Sequence, residues 1–142
     1  MEKANQTYKL ELANQLAGLS KLQEKLDQLA GQWDLPPAMV MQLNLALEEA
    51  FTNVVNYAYA DDEPHTIEII FTKEGRDLLI TIIDDGQPYD PTAKEDPDIR
   101  LPAEERKIGG LGIFLIKKVM DNIAYRRENN KNKLVLTKTI PQ

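Results

Sequence analysis

The sequence predicts an α+β sandwich: one mixed, mostly antiparallel sheet of about five strands with three helices on one face. Strand-like segments occur in pairs joined by short turns, and two helical segments follow one another in the first half of the chain. This segregation favours antiparallel hairpins that helices cover on one side. The Walker pattern G-x-x-x-x-G-K-[ST] is absent and strands do not alternate with helices, which argues against P-loop and Rossmann architectures.

The first half of the chain is predicted to contain one strand followed by two helices. Residues 8–12 alternate weakly and indicate a first strand. Large apolar residues recur at helical spacing over 19–33 and predict an amphipathic helix, which Asp-Leu-Pro-Pro at 34–37 ends. A second helix is predicted over 37–57, because proline is favoured in a first helical turn and one apolar stripe follows. That stripe consists of Val40, Leu43, Leu47, Phe51 and Val54.

The second half is predicted to contain four strands and one helix. Branched and aromatic side chains bounded by turn residues mark the strands, which span 67–72, 78–84, 123–127 and 133–139. The first two form a hairpin around Gly75, and the last two form a hairpin around an Asn-rich turn. The helix is predicted over 113–120, directly after a run of glycines.

A long irregular segment separates the two hairpins. Residues 85–108 contain four prolines and seven acidic residues, with few large apolar side chains. Irregular loops of this length are uncommon in compact domains and usually act as functional lids or are disordered. We therefore expect a lid at 85–108.

The composition predicts a single soluble globular domain over residues 1–142. The chain is 42% hydrophobic and 28% charged, with a net charge of -6, which argues against a nucleic-acid partner because such partners require a basic surface. It lacks cysteine and has one histidine, so thiol nucleophiles, disulfides, thiolate zinc sites and histidine-cluster metal sites are excluded. Neither a signal peptide nor an apolar run of roughly 18 residues is present, so we expect a cytoplasmic protein without membrane contact.

Glu49 and Asn53 are the first candidate site. They lie four residues apart in the second predicted helix and therefore share one helical face. A carboxylate there can accept a proton, and an amide oxygen can contribute to a magnesium site that water and phosphate oxygens complete. Taken alone, such a pair is more often a solvated helix surface, although asparagine is unfavourable within a helix and calls for a reason.

Asp84 and Gly86 are the second candidate site. Asp84 directly follows an apolar strand and shares its inward face with Leu78, Ile80 and Ile82. A carboxylate in that position is costly unless a donor binds it, and the exocyclic amine of adenine is such a donor. Gly86 lets the backbone approach a flat ring closely. By itself, the same pair is more often an ordinary Asp-Gly turn.

Glycines at the start of the last predicted helix are the third candidate site. Residues 109–112 (GGLG) open that helix, and the unpaired N–H groups of a helix N-terminus bind phosphates. By itself this run is also compatible with a flexible hinge. In this order, the three segments describe one nucleotide site with its metal, base, lid and phosphate contacts.

The three segments resemble the motifs of a known family. Residues 49–53 (EAFTN) resemble the N box of the Bergerat-type ATPases, the group that includes gyrase, Hsp90, histidine kinases and MutL. Residues 84–91 (DDGQPYDP) resemble the first glycine box in the form typical of the anti-sigma-factor serine kinases, and residues 109–116 (GGLGIFLI) resemble the second. The resemblance implies the histidine-kinase-like, or GHKL, ATPase fold over 1–142, with an ATP lid at 85–108.

The resemblance also implies a role for each motif residue, with ATP and Mg²⁺ as cofactors. Glu49 would be the catalytic base that takes the proton from a serine or threonine hydroxyl of a partner protein. Asn53 would bind the Mg²⁺ that bridges the ATP phosphates, and Asp84 would bind the adenine amine in a pocket that Gly86 shapes. Further nucleotide contacts are implied for Gly110, Leu111, Gly112 and, on the last strand, Thr137.

The function that the resemblance implies is that of a cytoplasmic serine/threonine-protein kinase that acts as an anti-sigma factor. It would phosphorylate an antagonist protein, sequester a sigma factor, and so regulate transcription as a homodimer without touching nucleic acid. The alternative is an ATP-binding partner-switch module with little or no kinase activity, because Ile108 replaces the first glycine of the longer second box. A structural protein with a degenerate nucleotide fold is the third possibility.

Overall fold

The frame of the fold is one antiparallel sheet. The computed structural model describes residues 6–61, 63–93 and 110–141. Its strands are β1 (Gln6–Ala13), β2 (Thr66–Glu74), β3 (Asp77–Asp84), β4 (Asn122–Glu128) and β5 (Lys131–Thr139). They lie in the order β1-β2-β3-β5-β4. All four pairings are antiparallel, so the described sheet is antiparallel throughout rather than only mostly so.

Three helices pack on one face of this sheet: α1 (Leu19–Gln32), α2 (Pro37–Tyr57) and α3 (Gly110–Val119). The predicted α+β sandwich is confirmed, and α2 has the predicted bounds. The core between the layers contains fully buried side chains of α1 and α2, such as Leu26 and Phe51, against strand residues such as Phe71. Burial of one such side chain contributes roughly 1.5–3 kcal/mol, so the apolar stripes hold the helices on the sheet.

Most strand ends extend one or two residues beyond the prediction, because hairpin pairing continues into the polar flanks, while β3 and β5 end at the predicted residues 84 and 139. β3 is central, between β2 and β5. Its inward side chains Leu78, Ile80 and Ile82 are almost completely buried, and Asp84 continues the same face. In the register of the sheet Asp84 lies opposite Asn132 at the start of β5. The strand period of two therefore carries a carboxylate into the interface between sheet and helices.

Helix α3 begins three residues earlier than predicted. Gly110 and Gly112 lie within its first turn rather than in a preceding loop. α3 packs against α2, and a Cβ atom added at Gly112 would lie only 2.7 Å from Glu49 Oε2. Glycine at position 112 therefore leaves the Glu49 carboxylate in place beside the first turn of α3.

The segment after β3 ties the sheet to the end of α2. The backbone N–H of Gln87 donates to the Ala58 carbonyl (2.8 Å), and the Gln87 side-chain amide donates to the Tyr57 carbonyl (3.1 Å). Residues 86 and 87, which we call the Gly86–Gln87 turn, thus satisfy carbonyls that the helix end leaves free. Of the predicted lid over 85–108, only the part up to residue 93 lies within the described residues.

The outward face of the sheet is partly apolar. Ile70, Thr81 and Val135 follow one another across β2, β3 and β5 in the middle of this face, and each is half-buried. Among the described residues, no helix is both long enough and apolar enough to cross a membrane.

Candidate functional site

One pocket collects residues from all three predicted motif regions. It lies between α2, α3 and the inner face of the sheet and includes both Asn53 and Asp84. Its wall is otherwise mainly apolar and aromatic, and it is completed by Ala50, Val54, Ile82, Tyr89, Pro91, Ile113, Tyr125, Asn132 and Leu134. The pocket encloses about 20 Å³, room for about one water molecule. A purine ring therefore enters only if part of the wall moves outward.

Asp84 is the buried acid of this pocket, with 4% of its surface exposed. Its Oδ1 accepts hydrogen bonds from the Gly86 backbone N–H (2.9 Å) and from the Asn132 side-chain nitrogen (2.9 Å). Burial raises the pKa of the Asp84 carboxyl, and these two hydrogen bonds lower it, with a net rise. Among the described residues, the two hydrogen bonds donated to this carboxylate reach Oδ1 rather than Oδ2.

Gly86 is required by a close approach of two backbones. A Cβ atom at this position would collide with the carbonyl oxygen of Ala58. Any side chain would therefore push the Gly86–Gln87 turn away from the end of α2. The predicted role of Gly86, shaping an adenine pocket beside Asp84, stays a prediction.

Asn53 and Glu49 lie one helical turn apart on α2, on the side that faces α3. Asn53 is 8% exposed, and its side-chain nitrogen is buried without a hydrogen-bond partner among the described residues. An unpaired buried amide is costly, which suggests that a ligand normally satisfies this side chain. Glu49 is half-buried, and burial, followed by the charge of Glu48, raises the pKa of its carboxyl.

The first turn of α3 lies against both residues. A Cβ atom at Gly112 would come within 2.7 Å of Glu49 Oε2 and 3.5 Å of Asn53 Nδ2. The backbone of a helix N-terminus, with its unpaired N–H groups, is therefore adjacent to an acid and an amide. The backbone of Gly110 and Leu111 belongs to the same turn.

Thr137 does not join this site, and its predicted contact with adenine is not retained. It lies on β5 opposite Leu79, five residues away from Asn132, which is the partner of Asp84. Because side chains alternate along a strand, Thr137 also points to the face away from the helices, whereas Leu134 and Leu136 point inward.

Asn132 is the pocket residue that sequence reasoning missed. The sequence pattern predicts Asn132 within an Asn-rich turn, but in the structure it is the first buried residue of β5. Counting back in steps of two from the apolar Leu136 and Leu134 reaches Asn132. That alternation was the signal that could have identified an inward-facing asparagine.

The residues present fit Mg-ATP. The side-chain oxygen of Asn53 can serve as a metal ligand, while its unpaired NH₂ group and the helix N-terminus beside it are donors suited to phosphate oxygens. Asp84 is an acceptor suited to an amine. The described residues include no cluster of three or more His, Asp or Glu side chains that could hold a metal alone. Mg²⁺ suits such a site, since it accepts few protein ligands and retains waters and phosphate oxygens.

Known proteins share this combination of fold and motifs. The sequence matches the family described as Histidine kinase-like ATPase domain over residues 12–138. The chain therefore belongs to that family.

Several relatives of this chain are named as serine or serine/threonine kinases. The chain is 30% identical over 95 residues to the serine/threonine-protein kinase BtrW of Bordetella bronchiseptica, in an alignment that covers 67% of each chain. It is 36% identical over 90 residues to the serine-protein kinase RsbW of Oceanobacillus iheyensis, which covers 59% of this chain and 56% of that protein. With RsbW of Listeria monocytogenes it shares 31% identity over 105 residues, covering 71% and 66%. The chain thus spans less than two thirds of both RsbW proteins.

A solved structure supports the fold. The crystal structure of the RsbU and RsbW domains of Rv1364c from Mycobacterium tuberculosis superposes with a TM-score of 0.69, covering 96% of this chain and 33% of that chain. At 14% sequence identity, this likeness establishes the shared fold alone.

Proposed function

We propose that the chain is an ATP-dependent protein serine/threonine kinase that acts as an anti-sigma factor in the cytoplasm. It phosphorylates an antagonist protein on serine or threonine and sequesters a sigma factor. The observation that carries the proposal is the half-buried Glu49, packed against the first turn of α3 one helical turn from the unpaired amide of Asn53. The kinases BtrW and RsbW among its relatives support it.

Nucleotide binding divides between two ends of the pocket. Oδ2 of Asp84 accepts the hydrogen bond of the adenine amine, and the first turn of α3, at Gly110, Leu111 and Gly112, donates backbone N–H groups to the phosphates. Asn53 holds the Mg²⁺, which supplies charge neutralisation to the phosphoryl group when bound. Residues 85–108 act as the ATP lid of a single domain spanning 1–142.

Glu49 performs the proton transfer. A carboxylate oxygen removes the proton from the incoming serine or threonine hydroxyl as its oxygen attacks the γ-phosphorus, and ADP leaves with the bridging oxygen. Burial and the neighbouring Glu48 raise the pKa of Glu49, which makes the ionised carboxylate a stronger base than a fully solvated one. General-base catalysis of this kind contributes roughly 10²–10⁴ to the rate.

The test replaces the carboxylate of Glu49 by an amide of nearly the same shape. We expect Glu49→Gln to bind ATP with little change and to transfer phosphate to a candidate antagonist protein about 10²–10⁴ times more slowly. The measurements are nucleotide titration and transfer of labelled phosphate in single turnover. The matched control is Glu24→Gln, which removes the same charge from an exposed position of α1 and should leave the transfer rate nearly unchanged.

The same experiment separates the proposal from its alternative. An ATP-binding partner-switch module with little or no kinase activity would show slow transfer in the unmodified protein and no further loss in Glu49→Gln. Rapid transfer by Glu49→Gln would remove this residue from the role of base.

A homodimer forms part of the proposal, with the outward face of the sheet as its interface. Ile70, Thr81 and Val135 support this face, because they form a half-buried row across three neighbouring strands. The partners are proteins, since the net charge of -6 opposes binding to nucleic acid.

A further inference from the structure

The side chain of Asn132 is buried and forms hydrogen bonds with five other groups. Only 4% of its surface is exposed. Its nitrogen donates to Asp84 Oδ1 (2.9 Å) and to the Gln87 carbonyl (2.8 Å). Its oxygen accepts from the Tyr125 hydroxyl (2.5 Å), the Arg127 guanidinium (3.2 Å) and the Tyr89 backbone N–H (3.3 Å). Five contacts thus converge on one side-chain amide.

These contacts fix which end of the amide faces Asp84. A flipped amide would place its oxygen against the Asp84 carboxylate and the Gln87 carbonyl, both of which are acceptors. It would also turn its NH₂ group toward the donors Tyr125 and Arg127. The NH₂ group is therefore locked toward Asp84, where it favours the charged, hydrogen-bond-accepting form of the carboxylate.

The same network holds the backbone that follows Asp84. Arg127 donates to the Gly86 carbonyl (2.8 Å), and Asn132 donates to the Gln87 carbonyl (2.8 Å). From the opposite side, the Gln87 N–H donates to Ala58 at the end of α2. The Gly86–Gln87 turn is thus held between α2 and the β4–β5 hairpin, and its position beside Asp84 is set from both sides.

We propose that Asn132 is a specificity-determining positioning residue, which holds Asp84 as a hydrogen-bond acceptor and so selects 6-aminopurine over 6-oxopurine nucleotides. Adenine presents an amine donor at position 6, whereas hypoxanthine presents a carbonyl acceptor that an ionised carboxylate repels. The inference rests on the proposed nucleotide function and adds to it a residue outside the three sequence motifs.

The test compares two diphosphates that differ at that position. The dissociation constants of ADP and inosine diphosphate are measured with Mg²⁺ for the full chain and for Asn132→Asp. This near-isosteric change replaces the NH₂ donor by an oxygen, so Asp84 must share a proton with its neighbour. We expect the preference for ADP over inosine diphosphate to fall by at least about tenfold, the effect of losing one hydrogen bond to a charged group.

The matched control is Asn130→Asp, the same substitution with the same charge change on the exposed turn of this hairpin. It should keep the preference within about twofold, because electrostatic effects between exposed groups are small. A merely structural role of Asn132 would weaken both diphosphates equally and leave their ratio unchanged, and that result would overturn the inference.

A second variant covers the case in which Asn132→Asp does not fold. Tyr125→Phe combined with Arg127→Gln keeps Asn132 but removes two of the three donors that lock its oxygen. We expect this variant to lose several-fold in the ADP preference, and an unchanged ratio would again overturn the inference. If the unmodified chain binds neither diphosphate, the proposed function fails as well, whereas binding without a preference for ADP, or a preference that the variants leave unchanged, contradicts only the role of Asn132.

Discussion

At the scale of single residues, the pocket contains buried polar groups. Such groups are compatible with the core where the protein or a ligand provides a hydrogen-bond partner. Asp84 accepts two hydrogen bonds within the protein, while the amide nitrogen of Asn53 donates none among the described residues. Unsatisfied buried groups cost about 1–3 kcal/mol each. A folded protein retains such a cost where a ligand removes it, so these residues mark the site more clearly than exposed acids do.

The raised pKa of Asp84 predicts a pH dependence of adenine binding. The ordinary value is 3.8, and burial raises it against the opposing effects of Asn132, Gly86 and Arg127, with the charge of Asp85 adding to the rise. Adenine binding requires the ionised acceptor, so affinity for ADP should be full well above the raised pKa and should decline as pH falls through it. Because the pKa is raised, the decline in ADP affinity starts at a higher pH than it would for a carboxyl group with a pKa of 3.8.

The effect of pH on folding stability through Asp84 is opposite to its effect on ADP binding. Since its folded pKa lies above the unfolded value, protonation as pH falls favours the folded state at this site. ADP titrations over a pH series, for the unmodified chain and for Asp84→Asn, would check the binding prediction. Titration of the phosphates is common to both proteins, so a pH profile that stays the same in Asp84→Asn would contradict the assignment.

At the scale of elements, the site depends on how closely α3 approaches α2. Sequence periodicity predicted both helices, but it did not show that the first turn of α3 would lie against Glu49 and Asn53. A side chain at position 112 would displace the Glu49 carboxylate from its place beside α3. The close approach brings a helix N-terminus, with its partial positive charge, next to the proposed base.

The substitution Gly112→Ala tests whether the close packing of α3 on α2 matters for phosphate transfer. The added Cβ would lie 2.7 Å from Glu49 Oε2, so the flexible carboxylate must shift while the fold persists. We expect phosphate transfer to slow by about 10–100-fold, as displacement of a catalytic group by about 1 Å does. The measurement is single-turnover transfer, with thermal unfolding as the check on folding.

Gly31→Ala is the control for the same change in a helix. Gly31 lies within α1, and a Cβ there would contact nothing within 4 Å. Alanine should stabilise the fold by about 0.5–1 kcal/mol and leave transfer unchanged. Equal transfer rates in the two variants would show that close packing at position 112 is irrelevant to catalysis.

At the scale of the whole molecule, the sandwich has two different faces. One face of the sheet is covered by helices and contains the pocket, and the outward face carries the half-buried row of Ile70, Thr81 and Val135. This division would let the proposed nucleotide binding and the proposed self-association use separate surfaces. In the proposed symmetric dimer, a residue in the middle of the outward face would lie near the twofold axis, close to its own copy.

Thr81→Lys tests the proposed dimer. Because Thr81 is central on the outward face, the substitution places two like charges close together in the interface, and we expect sedimentation to shift from dimer to monomer. Ser20→Lys adds the same side chain at an exposed position of α1 and should leave the dimer intact. A Thr81→Lys protein that remains dimeric would exclude this face, and ADP binding should persist in either case because the pocket lies on the other side of the sheet.

The sequence by itself determined the element types and the order of the motifs. Helical spacing and strand alternation are local patterns, so α2 was predicted with its observed bounds and Asp84 with its inward orientation. Tertiary structure alone decided which distant residues meet. The pairing of β3 with β5 puts Asn132, rather than Thr137, opposite Asp84, and the packing of α3 on α2 brings Gly112 to Glu49. The choice of neighbouring strands and the distance between two helices are set by the simultaneous packing of all layers around one core, and no local pattern of residues encodes them.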